Sequence, residues 1–315
     1  MDFPKPRVVI SRCIEFENVR WDGQIINNDF VRRLLPYVKP ITVCPEIGVD
    51  LPVPRDPIRI VRIESEDRLL QPSTGRNLTD EMKKLTENFL DNLPPVDGFI
   101  MKSRSPSCGI TNVKIYAGLE NDPVIDRGAG MFGRYVKDRF WHLAVEDDYR
   151  LSNHEIRENF LRKLYVLADF RENTVNKIGD LVEFHSRQKT MLKAYNKSRI
   201  RIMENIISNH NRKPFDVIHN EYQEQLYNTI VSPPRYEKYT KVLQNCLGYF
   251  SNKISESERN FFLDTLEQYR QGRVPLIVPL DVMKSWIVRF DEKYLSKQSF
   301  FYPYPENLMD INTLV

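Results

Sequence analysis

Cysteine is scarce in this chain, with four residues in 315. The four are unevenly spaced, so a disulfide framework is not indicated. Uninterrupted apolar runs of 18 residues are missing, which argues against a membrane-spanning helix. The start, "MDFPKPRVVI", lacks the apolar core of a secretory leader. The expectation is a cytoplasmic protein with reduced thiols and no membrane partner. Histidine is missing from the first 141 residues: His142, His154, His185, His210 and His219 all lie later. Internal repeats and low-complexity segments are also lacking. What remains is 41% hydrophobic and 28% charged, normal for a folded chain. At this length, two domains are expected.

The net charge of +3 is unevenly placed. From Arg150 onward there are 25 Lys and Arg against 20 Asp and Glu; the first 149 residues are net negative by two. The two halves also differ in pattern. "RVVIS" (7–11), "ITVC" (41–44) and "GFIMK" (98–102) read as buried strands. Helical segments lie between them, "NNDFVRRLLPYV" and about 79–92, the latter with Thr79 as its expected N-cap. This alternation predicts an α/β domain over 1–149, a parallel-type sheet with flanking helices. An expected capping box, Ser152-x-x-Glu155, then opens a nearly all-helical domain over 150–315. Helices are expected near 176–208, 216–231, 235–250, 256–271 and 280–297. Ser255 and Glu258 form a second capping box, and Gly272 ends that helix. The tail from Phe300 is expected to be an extended wrap or a disordered end.

Three cysteines sit at predicted strand ends. Cys13 follows the first strand, Cys44 ends the second and Cys108 follows the third. In a parallel sheet all three emerge at one edge, where sites form beyond the carboxyl ends of strands. Three explanations stand. Structural zinc wants four Cys or His ligands, and this half has three thiols with no histidine before His142. An iron–sulfur cluster usually takes four thiolates; three would leave one iron open to substrate. The third explanation is plain core filling, since free cysteine is among the most buried residue types.

The surroundings bear on the choice. In "VCPEIGVDLPVPRDPIRI", Glu46 follows Cys44 by two residues and can act as general acid or base beside a metal centre. Its simpler role is a solvated turn residue or a partner for Arg55. In "KSRSPSCG", Ser105 and Ser107 can orient a polar substrate or hydrogen-bond sulfur; the simpler role is an ordinary Ser-Pro turn. Gly109 allows close backbone approach, with its N–H available to a sulfide.

"ISRC" with "RWDG", "VCPEIGVDLPVPRDPIRI", "GFIMKSRSPSCG" and "DRGAGMFGRYV" occur in this order over roughly residues 5–145. In these motifs the chain resembles the thiouracil desulfidase family. The resemblance implies an α/β fold and a 4Fe–4S cluster held by three cysteines, here Cys13, Cys44 and Cys108. It implies Glu46, Ser105 and Ser107 as catalytic residues. It also implies hydrolytic, non-redox removal of sulfur from a thiocarbonyl compound such as a thiolated nucleobase, with the open iron taking the sulfur. "PLIVPLDVMKSWIVRF" and "FFYPYPENL" resemble the YbgA-like helical domain often fused behind such a domain.

Three features stand apart. Cys246, with Val242 and Phe250 four residues either side, reads as core. "GAGMFG" (128–133) matches G-x-G-x-x-G but opens no βαβ unit, so close helix packing is favoured over nucleotide binding. The run 187–201 has six basic residues and no acid, with Lys189, Lys193, Lys197 and Arg201 spaced as one helical stripe. A solvated face is the common explanation. The alternative function for the whole chain is nucleic-acid binding through this stripe, with a structural metal or iron–sulfur site.

Overall fold

The structure, a computed structural model, describes residues 2–119, 122–208 and 212–309. His210 and the last six residues lie outside them. The chain divides into two compact units, one spanning Pro4–Ala168 and the other beginning at Asp169.

The first unit opens with β1 (Arg7–Ser11), α1 (Asp29–Leu34), β2 (Lys39–Val43) and α2 (Pro45–Gly48). The strands β3 (Arg59–Ile63), β4 (Glu66–Gln71) and β5 (Arg76–Asn77) follow, then α3 (Thr79–Asp91). After β6 (Gly98–Met101), β7 (Val113–Tyr116) and β8 (Val124–Gly128) come α4 (Met131–Arg139), β9 (Ala144–Asp147) and α5 (His154–Asn173). One sheet has the order β2-β1-β6-β9 with every pairing parallel. Val8, Val9 and Ile10 are wholly buried, as a central parallel strand covered on both faces requires. Ser11, Val43, Met101 and Asp147 therefore end four strands at one edge of this sheet.

A second sheet, β5-β4-β3-β7-β8, is a mixed sheet that strand patterning did not reveal. Charges interrupt its strands, Arg59 and Arg62 in "RIVRI" and Glu66, Asp67 and Arg68 in "EDRLLQ", so no continuous apolar run marks them. Glu64 and Ser65, both at positive φ, form the two-residue turn of the β3–β4 hairpin. Ile60, Leu69, Val113 and Ile115 pack with Leu78 and Met82 of the α3 region into one core cluster.

Two expected caps are corrected. Thr79 is the first residue of α3, not its N-cap, and its hydroxyl accepts from the Leu69 N–H at 2.9 Å. At α5 the side chain of Asn153, not Ser152, accepts from the Ile156 N–H. The Ser152 hydroxyl instead donates to the Tyr149 carbonyl. At α3 the N-cap position falls to Leu78, which makes no side-chain cap bond, and Asn77 accepts from the Thr79 N–H at 3.0 Å.

On α5, burial pulls the Lys163 ammonium down to about 8, with Glu146 opposing. The folded protein carries the cost of a buried charge below that pH. It sheds the cost as pH rises toward the ordinary value of 10.5, where the unfolded chain deprotonates. Lys163→Met is expected to raise the melting temperature at pH 7 by a few degrees. The gain should shrink through this window and vanish above it. Equal gains at pH 7 and pH 11, read by calorimetry, would contradict the assignment.

The second unit is helical: α6 (Ile178–Ser208), α7 (Phe215–Ile230), α8 (Tyr236–Leu247), α9 (Glu256–Arg270) and α10 (Ile277–Arg289). The Ser255–Glu258 capping box is present, and Gly272 takes φ +70° just past α9. Cys246 is buried on α8. The described part of the tail is packed rather than loose, with Phe300, Phe301, Tyr304 and Leu308 buried.

Helix α6 breaks at Asn196, whose φ of −155° and ψ of 99° are not helical. Lys189 and Glu204 would be about 22 Å apart along a straight helix. Their charged atoms meet at 2.6 Å, so the chain folds back at the break. The basic run is thus not one stripe. Lys189 pairs with Glu204, Arg187 with Asp169 and Glu183, and Arg199 with Gln225. The fourfold spacing presumed an unbroken helix, and the single residue Asn196 removes it.

Among the described residues, no helix is long and apolar enough to cross a membrane.

Candidate active site

The parallel sheet delivers its residues in order. Cys13 lies two residues past β1, within the turn that follows it. Cys44 directly follows β2 and holds the N-cap position of α2, with extended φ of −128°. Pro45 sits at the first helical position, where its missing N–H costs nothing. Cys108 closes the loop that leaves β6. Asp148 directly follows β9, and it ties the edge together. Its carboxylate accepts from the Ser103 N–H at 2.6 Å and from the Lys102 ammonium at 3.2 Å. The Lys102 N–H donates to the Ser11 hydroxyl at 2.9 Å.

The three thiols share one electrostatic environment. Burial pushes Cys13 up to about 12, with the neighbouring Cys44 adding and Lys102 opposing. Cys108 is pushed well above its ordinary value by burial first, then by Cys13 and Cys44. Cys44 is also raised by burial, against the nearby N–H groups of Ile47 and Glu46. Among the described residues, no three His, Cys, Asp or Glu side chains lie close enough to hold a single metal ion.

Glu46 lies on α2, and three partners hold it. One carboxylate oxygen accepts from Arg55 at 2.6 and 2.9 Å; the other accepts from the Ser107 hydroxyl at 2.6 Å and the Ser105 hydroxyl at 3.4 Å. Ser105 and Ser107 are 2.9 Å apart through their hydroxyls. The Ser105 hydroxyl also accepts from the Cys108 N–H at 3.1 Å, and the Ser107 hydroxyl lies 3.9 Å from the Cys108 sulfur. Glu46 is therefore both the Arg55 partner and the neighbour of the serine loop. The N–H of Gly109 is already committed to the Ser105 carbonyl at 2.9 Å, so it is not offered to a sulfide.

Arg55 is the residue whose importance the sequence understated. Its side chain is 3% exposed, and its guanidinium also donates to the carbonyls of Pro52 and Val19. A buried guanidinium needs every donor engaged, and Glu46 supplies the charge. "VPRDP" gives no local signal of this, because Val19 lies 36 positions away.

A separate open cleft is lined by Arg62, Asp67, Lys83, Arg134 and Tyr135 and contains none of the cysteines. Its charges pair internally, with Asp67 bonded to both Arg62 and Arg134.

This is a two-part chain, an α/β unit with a thiol-rich strand edge followed by a helical unit. Residues 8–148 match the 2-thiouracil desulfurase family, and residues 189–305 match a family of unknown function, DUF1722. The chain is thus similar to a thiouracil desulfurase domain over its first half and to the DUF1722 family over its second. It is 27% identical over 143 residues to the uncharacterized protein YbgA of Escherichia coli, covering 45% of this chain and 84% of that one. It is 24% identical over 150 residues to the uncharacterized protein YbbK of Bacillus subtilis, covering 45% and 96%. Among solved structures, it is 25% identical to one described as the [4Fe-4S]-dependent thiouracil desulfidase TudS, covering 47% of this chain and 93% of that one. The TM-score of 0.38 is too low to carry a comparison of folds.

Proposed function

We propose that this protein is an iron–sulfur-dependent desulfidase that removes sulfur from a thiocarbonyl compound such as a thiolated nucleobase, by hydrolysis without net redox change. The observation that carries the proposal is the gathering of Cys13, Cys44 and Cys108 at one strand edge beside a Glu46 held by Arg55, Ser105 and Ser107. The match of residues 8–148 to the 2-thiouracil desulfurase family supports it.

The donor set fits a 4Fe–4S cluster. Three soft thiols without an accompanying imidazole favour iron–sulfur ligation over hard cations. Burial keeps them protonated until a cationic centre displaces the protons. Bound by Cys13, Cys44 and Cys108, the cluster would supply a Lewis-acidic iron with an open position for the substrate's sulfur.

The remaining chemistry belongs to the protein. Overall, C=S and water give C=O and hydrogen sulfide. Arg55 fixes one oxygen of Glu46, leaving the other oriented toward the two serine hydroxyls. That second oxygen can take a proton from the attacking water and return it to the departing sulfur. Ser105 and Ser107 relay or orient this proton, being linked to each other and to Glu46.

The test is sulfide release from 2- and 4-thiouracil by anaerobically reconstituted protein, with uracil measured alongside. Equal sulfide and uracil are expected. A cluster-loaded protein that releases no sulfide across thiolated bases, nucleosides and nucleotides would overturn the proposal.

A further inference from the structure

The segment "GAGMFG" matches a phosphate-binding pattern, yet its helix end is already occupied. The N–H groups of Gly130, Met131 and Gly133 donate to the carbonyls of Gly109, Pro106 and Ser107 at 2.7, 3.0 and 3.0 Å. These acceptors all lie in the loop that carries Ser105, Ser107 and Cys108. The first turn of α4 is therefore capped by the loop backbone and not open to an anion.

The three glycines are unequal. A methyl group on Gly133 would press on the carbonyl of Gly109 and lie 2.8 Å from that of Cys108. One on Gly130 would press on the Ser107 carbonyl and lie 2.7 Å from that of Ser105. These obstacles are backbone atoms, which cannot swing aside. On Gly128 a methyl would meet only the tip of the Ile115 side chain, at 3.2 Å. Phe132, between the two critical glycines, is wholly buried, so α4 cannot retreat to make room.

We propose that Gly130 and Gly133 are positioning residues: they let α4 seat directly on the Ser105–Gly109 loop and so set where Ser105, Ser107 and Cys108 stand. The placement itself is independent of chemistry, and its catalytic consequence rests on the desulfidase reading. Any residue with a side chain at 130 or 133 pushes the loop outward, carrying Cys108 away from Cys13 and Cys44 and the serines away from Glu46.

The test uses the full chain without cluster, reduced, and alkylated with iodoacetamide, each cysteine being followed by mass spectrometry. Gly130→Ala and Gly133→Ala are expected to raise the alkylation rate of buried Cys108 at least about tenfold relative to Cys13, through local opening of the loop. Gly128→Ala should match the wild type. Unchanged Cys108 reactivity in both variants overturns the proposal. So does an equal rise at Cys13, Cys44 and Cys108, which would make these glycines supports of the whole fold. In the reconstituted chain, sulfide release per bound cluster should fall in the two variants and not in Gly128→Ala. If no thiolated compound is turned over by any form, the desulfidase reading fails while the alkylation pattern still decides the placement.

Discussion

A chain carrying Cys108→Ala is expected to take up no stable four-iron cluster on anaerobic reconstitution, whereas the wild type is expected to hold about four irons and four sulfides. Desulfuration is expected to fall below detection with it. The reason is the donor count. With three thiolates, loss of one leaves two iron positions without protein ligands. Alanine fits the space of the buried thiol, so the fold should persist. Cys246→Ala is the matched control, since this cysteine is buried on α8 among apolar neighbours. Equal iron uptake by wild type and Cys108→Ala would remove the cluster assignment outright.

Glu46→Gln should separate binding from proton movement. The amide keeps the size of the side chain and an oxygen for Arg55 or Ser107, but no longer accepts a proton. Iron uptake is expected to match the wild type, and turnover per bound cluster to fall by about 10²–10⁴. The substitution also leaves the Arg55 guanidinium without a counter-charge. Breaking a buried pair costs up to about 3–5 kcal/mol, with the retained hydrogen bonds favouring the low end. A lower melting temperature therefore accompanies the kinetic loss and must be measured separately. Normal turnover by a cluster-loaded Glu46→Gln chain would show that Glu46 only anchors Arg55 and the serine loop.

The two substitutions probe different parts of one edge. Cys108 and Ser107 are adjacent, but Ser107 points its hydroxyl at Glu46 while the Cys108 thiol lies near Cys13 and Cys44. In the proposed reading, one short loop would serve both metal holding and proton handling. Its backbone is fixed from behind by the first turn of α4.

The features legible in the sequence are local ones. "VVIS" and "GFIM" are short strands whose positions are all buried, as a parallel sheet covered on both faces needs. The placement of Cys13, Cys44 and Cys108 at strand ends follows from chain direction alone. Ser255 and Glu258 cap α9 because both groups lie within one turn of each other. Tertiary structure decided what depends on distant partners. The second sheet assembles from strands too charged to stand out singly, and its pairings bring Ile60 beside Ile115. The Glu46–Arg55 pair is open to the sequence as the simpler role of Glu46, but the Val19 carbonyl that Arg55 also reaches is not, being 36 positions away. The basic run lost its stripe to one non-helical residue, Asn196, and to a carboxylate that folds back onto Lys189. "GAGMFG" kept its glycines for contact with a loop some twenty residues earlier in the chain, not for a phosphate. Hydrophobic period and chain direction are written along the sequence. Close approach of two backbones, and the charge a buried guanidinium requires, exist only once the chain has folded.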